Sequence, residues 1–123
     1  MTILIIEDDV SIRDNILELL SLKGFDVLEA ENGVIGVLQA QQFSPDLILC
    51  DVKMPELDGF GVLAELQKDP GTAAIPFIFL TANAKKERLE QGITQGATAY
   101  LIKPFASAIL LASIYQCLSK FFE

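Results

Sequence analysis

Apolar residues in this chain cluster into five short runs, at residues 3–6, 25–30, 46–50, 75–80 and 99–102. Four are nearly continuous in aliphatic or aromatic side chains, the pattern of strands buried on both faces; the second (Phe-Asp-Val-Leu-Glu-Ala) is more polar and reads as a strand nearer an edge. Between the runs the period changes. Ile12, Ile16, Leu17, Leu19 and Leu20 recur at three- and four-residue steps, with Gly24 as a C-terminal stop. Asn32-Gly33 opens a helix carrying Val34, Val37 and Leu38 that ends near Phe43-Ser44-Pro45. Asp58-Gly59 leads into a helix with Phe60, Val62, Leu63 and Leu66, ended by Asp69-Pro70-Gly71. Residues 84–91 form a charged, solvated helix, and residues 105–122 a broadly apolar one. Five strand-then-helix repeats with short spacers predict an α/β fold: a five-stranded parallel sheet, right-handed crossovers, and helices on both faces.

Parallel strands bring their carboxyl ends to one edge, where open α/β sheets bind ligands. The polar residues at the ends of strands one, three, four and five are Glu7 and Asp8, Asp51, Thr81, and Lys103. The stretch 47–59 is the most informative: an apolar run, Leu47 to Cys50, stops at Asp51, and a turn-rich segment with Pro55 and Asp58-Gly59 follows. Taken alone, Asp51 reads as no more than a strand cap or the start of a turn. Together, three converging carboxylates repel one another and are desolvated, which a hard divalent cation or a nearby ammonium relieves. Mg²⁺ (or Mn²⁺) is the cation expected; Lys103 is the ammonium, and Thr81 offers a hydroxyl. Asp51 is then a candidate nucleophile toward phosphorus, and phosphoryl transfer needs mainly positioning and charge around the oxygens.

Composition narrows the setting. The 123 residues, 51% hydrophobic with mean hydropathy +0.42, suffice for one domain over residues 1–123 with a sizeable core. There is no linker-like stretch, internal repeat or low-complexity segment. Histidine is absent, so histidine-based metal sites and general bases are excluded. The net charge of -8 argues against direct nucleic-acid binding. Neither a signal peptide nor an apolar stretch of roughly 20 residues is present, so no membrane association is expected. Cys50 and Cys117 read as buried small apolar side chains in a reducing, cytoplasmic setting.

Four segments in this order resemble the receiver domain of bacterial two-component response regulators, in particular single-domain chemotaxis-type regulators. They are Ile-Ile-Glu-Asp-Asp after strand one, Cys-Asp-Val-Lys-Met-Pro-Glu-Leu-Asp-Gly around Asp51, Leu-Thr-Ala after strand four, and Tyr-Leu-Ile-Lys-Pro-Phe near the end. The resemblance covers the whole chain and implies a doubly wound, flavodoxin-like (βα)5 sheet of order 2-1-3-4-5. It implies that Asp51 accepts phosphate from the phosphohistidine of a sensor histidine kinase. Asp8, Asp51 and the backbone carbonyl of Lys53 would hold Mg²⁺, with Glu7 acting through water. Asp9 instead starts the first helix. Lys103 would pair with the phosphate, and Lys103-Pro104 would be a cis peptide. Thr81 and Tyr100 would form a switch pair, the hydroxyl moving toward the phosphate and the ring turning inward behind it. Lys53 and Asn83 occupy positions that in this family tune hydrolysis; Lys53 either covers the phosphoryl group or points to solvent. Gly59 and Pro55 look like loop geometry. Such a domain is not an enzyme beyond self-phosphorylation and autodephosphorylation.

The last helix carries a core stripe of Leu110, Ile114, Cys117, Leu118 and Phe121, and a second apolar stripe of Ala108, Leu111, Tyr115 and Phe122. The second reads either as a solvated face or as a homodimer or partner interface built from helix four, strand five and helix five. The charged pattern by which DNA-binding relatives pair there is not evident, so apolar contact is expected. No output domain is expected either; the domain would act by switching a protein-binding surface toward a downstream target. Two other roles fit the sequence: a phosphorelay intermediate passing phosphate to a histidine phosphotransfer protein, and an unphosphorylated receiver-fold interaction domain.

Overall fold

The computed structural model describes residues 1–82 and 85–119, with Lys86 by its backbone alone. Ten elements alternate along the chain: β1 (Thr2–Ile6), α1 (Val10–Leu22), β2 (Asp26–Ala30), α2 (Gly33–Phe43), β3 (Leu47–Asp51), α3 (Gly59–Gln67), β4 (Phe77–Thr81), α4 (Lys86–Gln95), β5 (Ala99–Ile102) and α5 (Ser107–Ser119). The five strands form one parallel sheet in the order β2-β1-β3-β4-β5, the predicted doubly wound arrangement.

Alternation along each strand divides the core into two layers. Ile3, Ile5, Leu49, Ile78 and Leu80 point toward α1 and α5, where they meet Ile16, Leu20, Leu110 and Ile114. Leu4, Ile6, Ile48, Cys50 and Phe79 point to the other face, against Ala40 of α2 and Val62, Leu63 and Leu66 of α3. Because both faces are covered, the inner strands have no polar position to spare until they reach the edge. Three helices start on side-chain caps: Asp9 accepts from Ile12 N–H (3.1 Å), Asn32 from Ile35 N–H (2.9 Å) and Asp58 from Gly61 N–H (2.8 Å).

The structure moves several boundaries. β3 begins at Leu47, one residue later than expected, because the Asp46 carboxylate turns to accept from Thr2 N–H (2.8 Å). β4 begins at Phe77, not Ile75, since the Ile75 N–H closes a turn to Thr72 O (3.2 Å) and Pro76 has no N–H to give. α4 runs on to Gln95, past the expected end at residue 91, and stops at Gly96 with φ +127. α5 starts at Ser107, while Phe105 packs against the core ahead of it.

The second stripe of α5 is not one free surface. Leu111 is half-buried against the α1/α5 core, and Tyr115, half exposed, packs on Phe25 with ring centroids 5.9 Å apart. Ala108 is exposed, as is Ile109, which the sequence pattern passed over. Phe121 and Phe122 lie outside the described residues, as do Asn83 and Ala84.

Gly59 is required by contact. A Cβ there would sit 2.5 Å from the Asp51 carbonyl oxygen and 2.9 Å from Val52 Cα, so only glycine lets α3 begin directly against the end of β3. Its N–H bonds Val52 O at 2.8 Å. Gly59→Ala is expected to lower unfolding stability by about 2 kcal/mol through backbone overpacking. Gly71→Ala, where the nearest contact is an ordinary 3.4 Å to a side chain, should stay within about 0.5 kcal/mol. Urea denaturation of the two variants beside wild type is the measurement.

Candidate functional site

Bonds that continue past the ladders carry the site residues to the sheet edge. Glu7 N–H bonds Ala30 O (3.0 Å), Val52 N–H bonds Leu80 O (3.0 Å), and Lys103 N–H bonds Thr81 O (2.7 Å). Asp51, the last residue of β3, is 6% exposed; Glu7, one residue beyond β1, is 1% exposed, and Thr81 at the end of β4 is buried. Asp8 is exposed beside them. One carboxylate oxygen from each of Glu7, Asp8 and Asp51 falls within 4.8 Å of the others.

Lys103 enters this group from beyond β5. Its Nζ donates to both Glu7 carboxylate oxygens at 3.1 Å and lies 3.4 Å from Asp51 Oδ1. Glu7 therefore does not stand at the surface with Asp8; it is buried and held directly by the ammonium. The Lys103–Pro104 peptide is cis.

One ammonium does not balance this set. Burial, then the Asp51 charge, raises the Glu7 carboxyl to about 7, against a smaller opposing pull from Lys103. Burial also raises Asp51, opposed by Lys103 and the Lys53 backbone N–H, with Asp8 adding to the rise. A cluster of hard oxygen donors short of positive charge can coordinate a divalent metal, and the donors present fit one. The neighbouring Cys50 thiol is fully buried and pushed up by burial and by Asp51, so it is an inert part of the core.

The carboxylates open into a cleft of about 950 Å³ that Thr81, Tyr100 and the exposed Lys53 also line. The Tyr100 ring faces outward, 40% exposed. Asn83 lies outside the described residues. Two cations on the cleft wall escaped the sequence reading, which took Lys85 and Arg88 for a solvated helix face; Arg88 sits 4.8 Å from the centre of the Phe60 ring. Arg13 escaped it too: Nη1 donates to Glu7 O at 2.7 Å and Nε lies 3.4 Å from Glu29 Oε1. A cation four residues after an acidic cap was the available signal.

These shifts set a pH dependence. Where a carboxyl's folded-state pKa is raised, the folded chain holds more protons than the unfolded chain between the two values, so stability falls as pH rises. In chelator, stability should therefore decline from about pH 4.5 through about pH 7. Glu7→Gln should flatten that decline, and a divalent cation should oppose it by favouring the ionised form. Urea midpoints at pH 5 and pH 8, with chelator and with Mg²⁺, test both expectations.

Among the described residues, no helix is long and apolar enough to cross a membrane. The response regulator receiver domain profile matches residues 3–115. The chain is 41% identical over 118 residues to the DNA-binding dual master transcriptional regulator RpaA of Synechocystis, covering 96% of this chain and 49% of that protein. It thus spans about half of that relative's length. Protein PilH of Pseudomonas aeruginosa is 39% identical over 95% of this chain and 97% of its own. Among solved structures, Vibrio cholerae chemotaxis protein CheY4 superposes with a TM-score of 0.90 at 30% identity, over 95% of this chain and 98% of that one. The receiver domain of sensor histidine kinase PA1611 from P. aeruginosa superposes at 0.89 and 30% identity, over 96% and 97%; it was solved with a magnesium ion coordinated in its active site cleft. With its sheet order, its acidic cluster and these likenesses, the chain belongs to the response regulator receiver domain family.

Proposed function

We propose that Asp51 accepts a phosphoryl group from the phosphohistidine of a sensor histidine kinase, with Mg²⁺ bound by Asp8, Asp51 and the Lys53 carbonyl. The observation that carries this reading is a buried carboxylate at a strand end, facing an ammonium at 3.4 Å and grouped with two further carboxylates. An Asp51 carboxylate oxygen attacks phosphorus, the phosphorus–nitrogen bond breaks, and the electron pair leaves with the imidazole. The cation, when bound, supplies positive charge to the phosphoryl oxygens. Lys103 turns from its carboxylate partners toward the phosphoryl group, and the Thr81 hydroxyl donates to another of its oxygens.

The response passes to α4, β5 and α5. Tyr100 starts exposed on the cleft wall, so movement of Thr81 toward the phosphoryl group opens the space behind it for the ring to turn in. Ile93, Ile102 and Ile109 are exposed on α4, β5 and α5, apolar material for a downstream protein or a second copy. The domain acts in the cytoplasm as a regulatory phosphoacceptor rather than an enzyme with turnover.

Incubation with acetyl phosphate followed by intact mass is expected to show one added phosphoryl group, dependent on Mg²⁺ and absent in Asp51→Asn. No gain in the wild-type chain under either condition overturns the reading. The phosphoryl group should be lost at an altered rate in Lys53→Ala and Asn83→Ala; unchanged loss in both removes the tuning role of those positions.

A further inference from the structure

We propose that Arg13 is a positioning residue for the acidic pair: its guanidinium ties the Glu7 carbonyl to Glu29 of β2 and thereby sets Glu7 and Asp8 for a divalent cation. The inference rests on the reading of Asp8 and Asp51, with Glu7 beside them, as a cation site. Arg13 lies at the start of α1, where the helix dipole disfavours a cation. Helical side chains lean toward the N-terminus, which carries this one back over the loop that precedes its own helix. The side chain is only 14% exposed, and its guanidinium reaches two acceptors off the helix: Glu7 O at 2.7 Å and Glu29 Oε1 at 3.4 Å.

The Glu7 backbone is thus gripped from two sides, its N–H by Ala30 O (3.0 Å) and its carbonyl by Arg13. That carbonyl belongs to the planar Glu7–Asp8 peptide, so fixing its oxygen orients the plane from which the Asp8 side chain departs. The main chain that carries the far anchor is itself held, since Gln39 Nε2 donates to the Glu29 backbone O at 2.8 Å. A rigid guanidinium fork reaches both acceptors at once; an ammonium on a flexible stem is a single point charge.

The sign of the effect separates positioning from charge. If Arg13 acted only as a nearby cation, it would repel a divalent ion, and removing it would tighten binding. As a positioning residue, its removal weakens binding. Titration with Mn²⁺, followed by the spectroscopic signal of the free ion, is expected to show about tenfold weaker binding in Arg13→Gln, the usual scale for groups that orient ligands. Arg13→Lys should also bind more weakly than wild type, and labelling by acetyl phosphate at saturating Mg²⁺ should return to the wild-type extent. Equal or tighter Mn²⁺ binding in Arg13→Gln, or wild-type affinity in Arg13→Lys, overturns the inference alone. A wild-type chain that binds no Mn²⁺ overturns the cation site and the inference together. Should Arg13→Gln fail to fold, Arg13→Lys and Glu29→Gln carry the test: weaker binding in both is expected, and wild-type affinity in either overturns it.

Discussion

Lys103 is the ammonium that meets both buried carboxylates, Glu7 and Asp51, and the architecture around the site is arranged about that contact. Its Nζ stands between two carboxylates that arrive from different strands, one from the end of β1 and one from the end of β3. Their raised pKa values show the compensation to be incomplete. The negative charge left unbalanced is of the kind a divalent cation could offset. A fully balanced cluster would be more stable and less useful.

Holding such a cluster together calls for a sheet that does not give. The strands bearing Glu7, Asp51 and Thr81 are the three central ones, and the last residues of each are fixed by backbone bonds to a neighbour. Gly59 allows α3 to press against the Asp51 carbonyl, and Cys50 and Leu80 fill the layers on either side. α4 is built differently. It lacks a side-chain cap, begins beside Lys85, and reaches α3 through the Arg88–Phe60 contact and two glutamine bonds, Gln95 Nε2 to Phe60 O (2.9 Å) and Gln67 Nε2 to Gln95 O (2.6 Å). The rigid part of the molecule holds the chemistry, and the lightly anchored helix borders the cleft.

The strands were legible because their apolar runs are continuous, and the site was legible because polar residues ending such runs have few other reasons to be there. Asp51, Glu7, Asp8, Thr81 and Lys103 could be grouped from sequence once the strands were taken as parallel. What pattern could not supply was the direction of individual side chains. Leu111 falls on the outward stripe by helical spacing, yet it packs half-buried against the core; Ile109, off that stripe, is exposed. Ile75 looked like strand because it precedes more apolar residues, but its N–H was already committed to a turn.

Arg13 shows where sequence reasoning stops for a different reason. Its contribution lies in two acceptors, one a backbone carbonyl and the other a side chain 16 positions away on a neighbouring strand. A carbonyl carries no residue identity, so no motif records the bond. The unfavourable placement of a cation at a helix start was visible, but a single residue against the dipole costs only about 0.3–1 kcal/mol and seldom compels an explanation. It becomes informative when the side chain is also found turned away from solvent, because an exposed arginine would have been satisfied by water. Burial turns a weak local anomaly into a structural commitment, and the commitment is to the loop that carries both acidic residues.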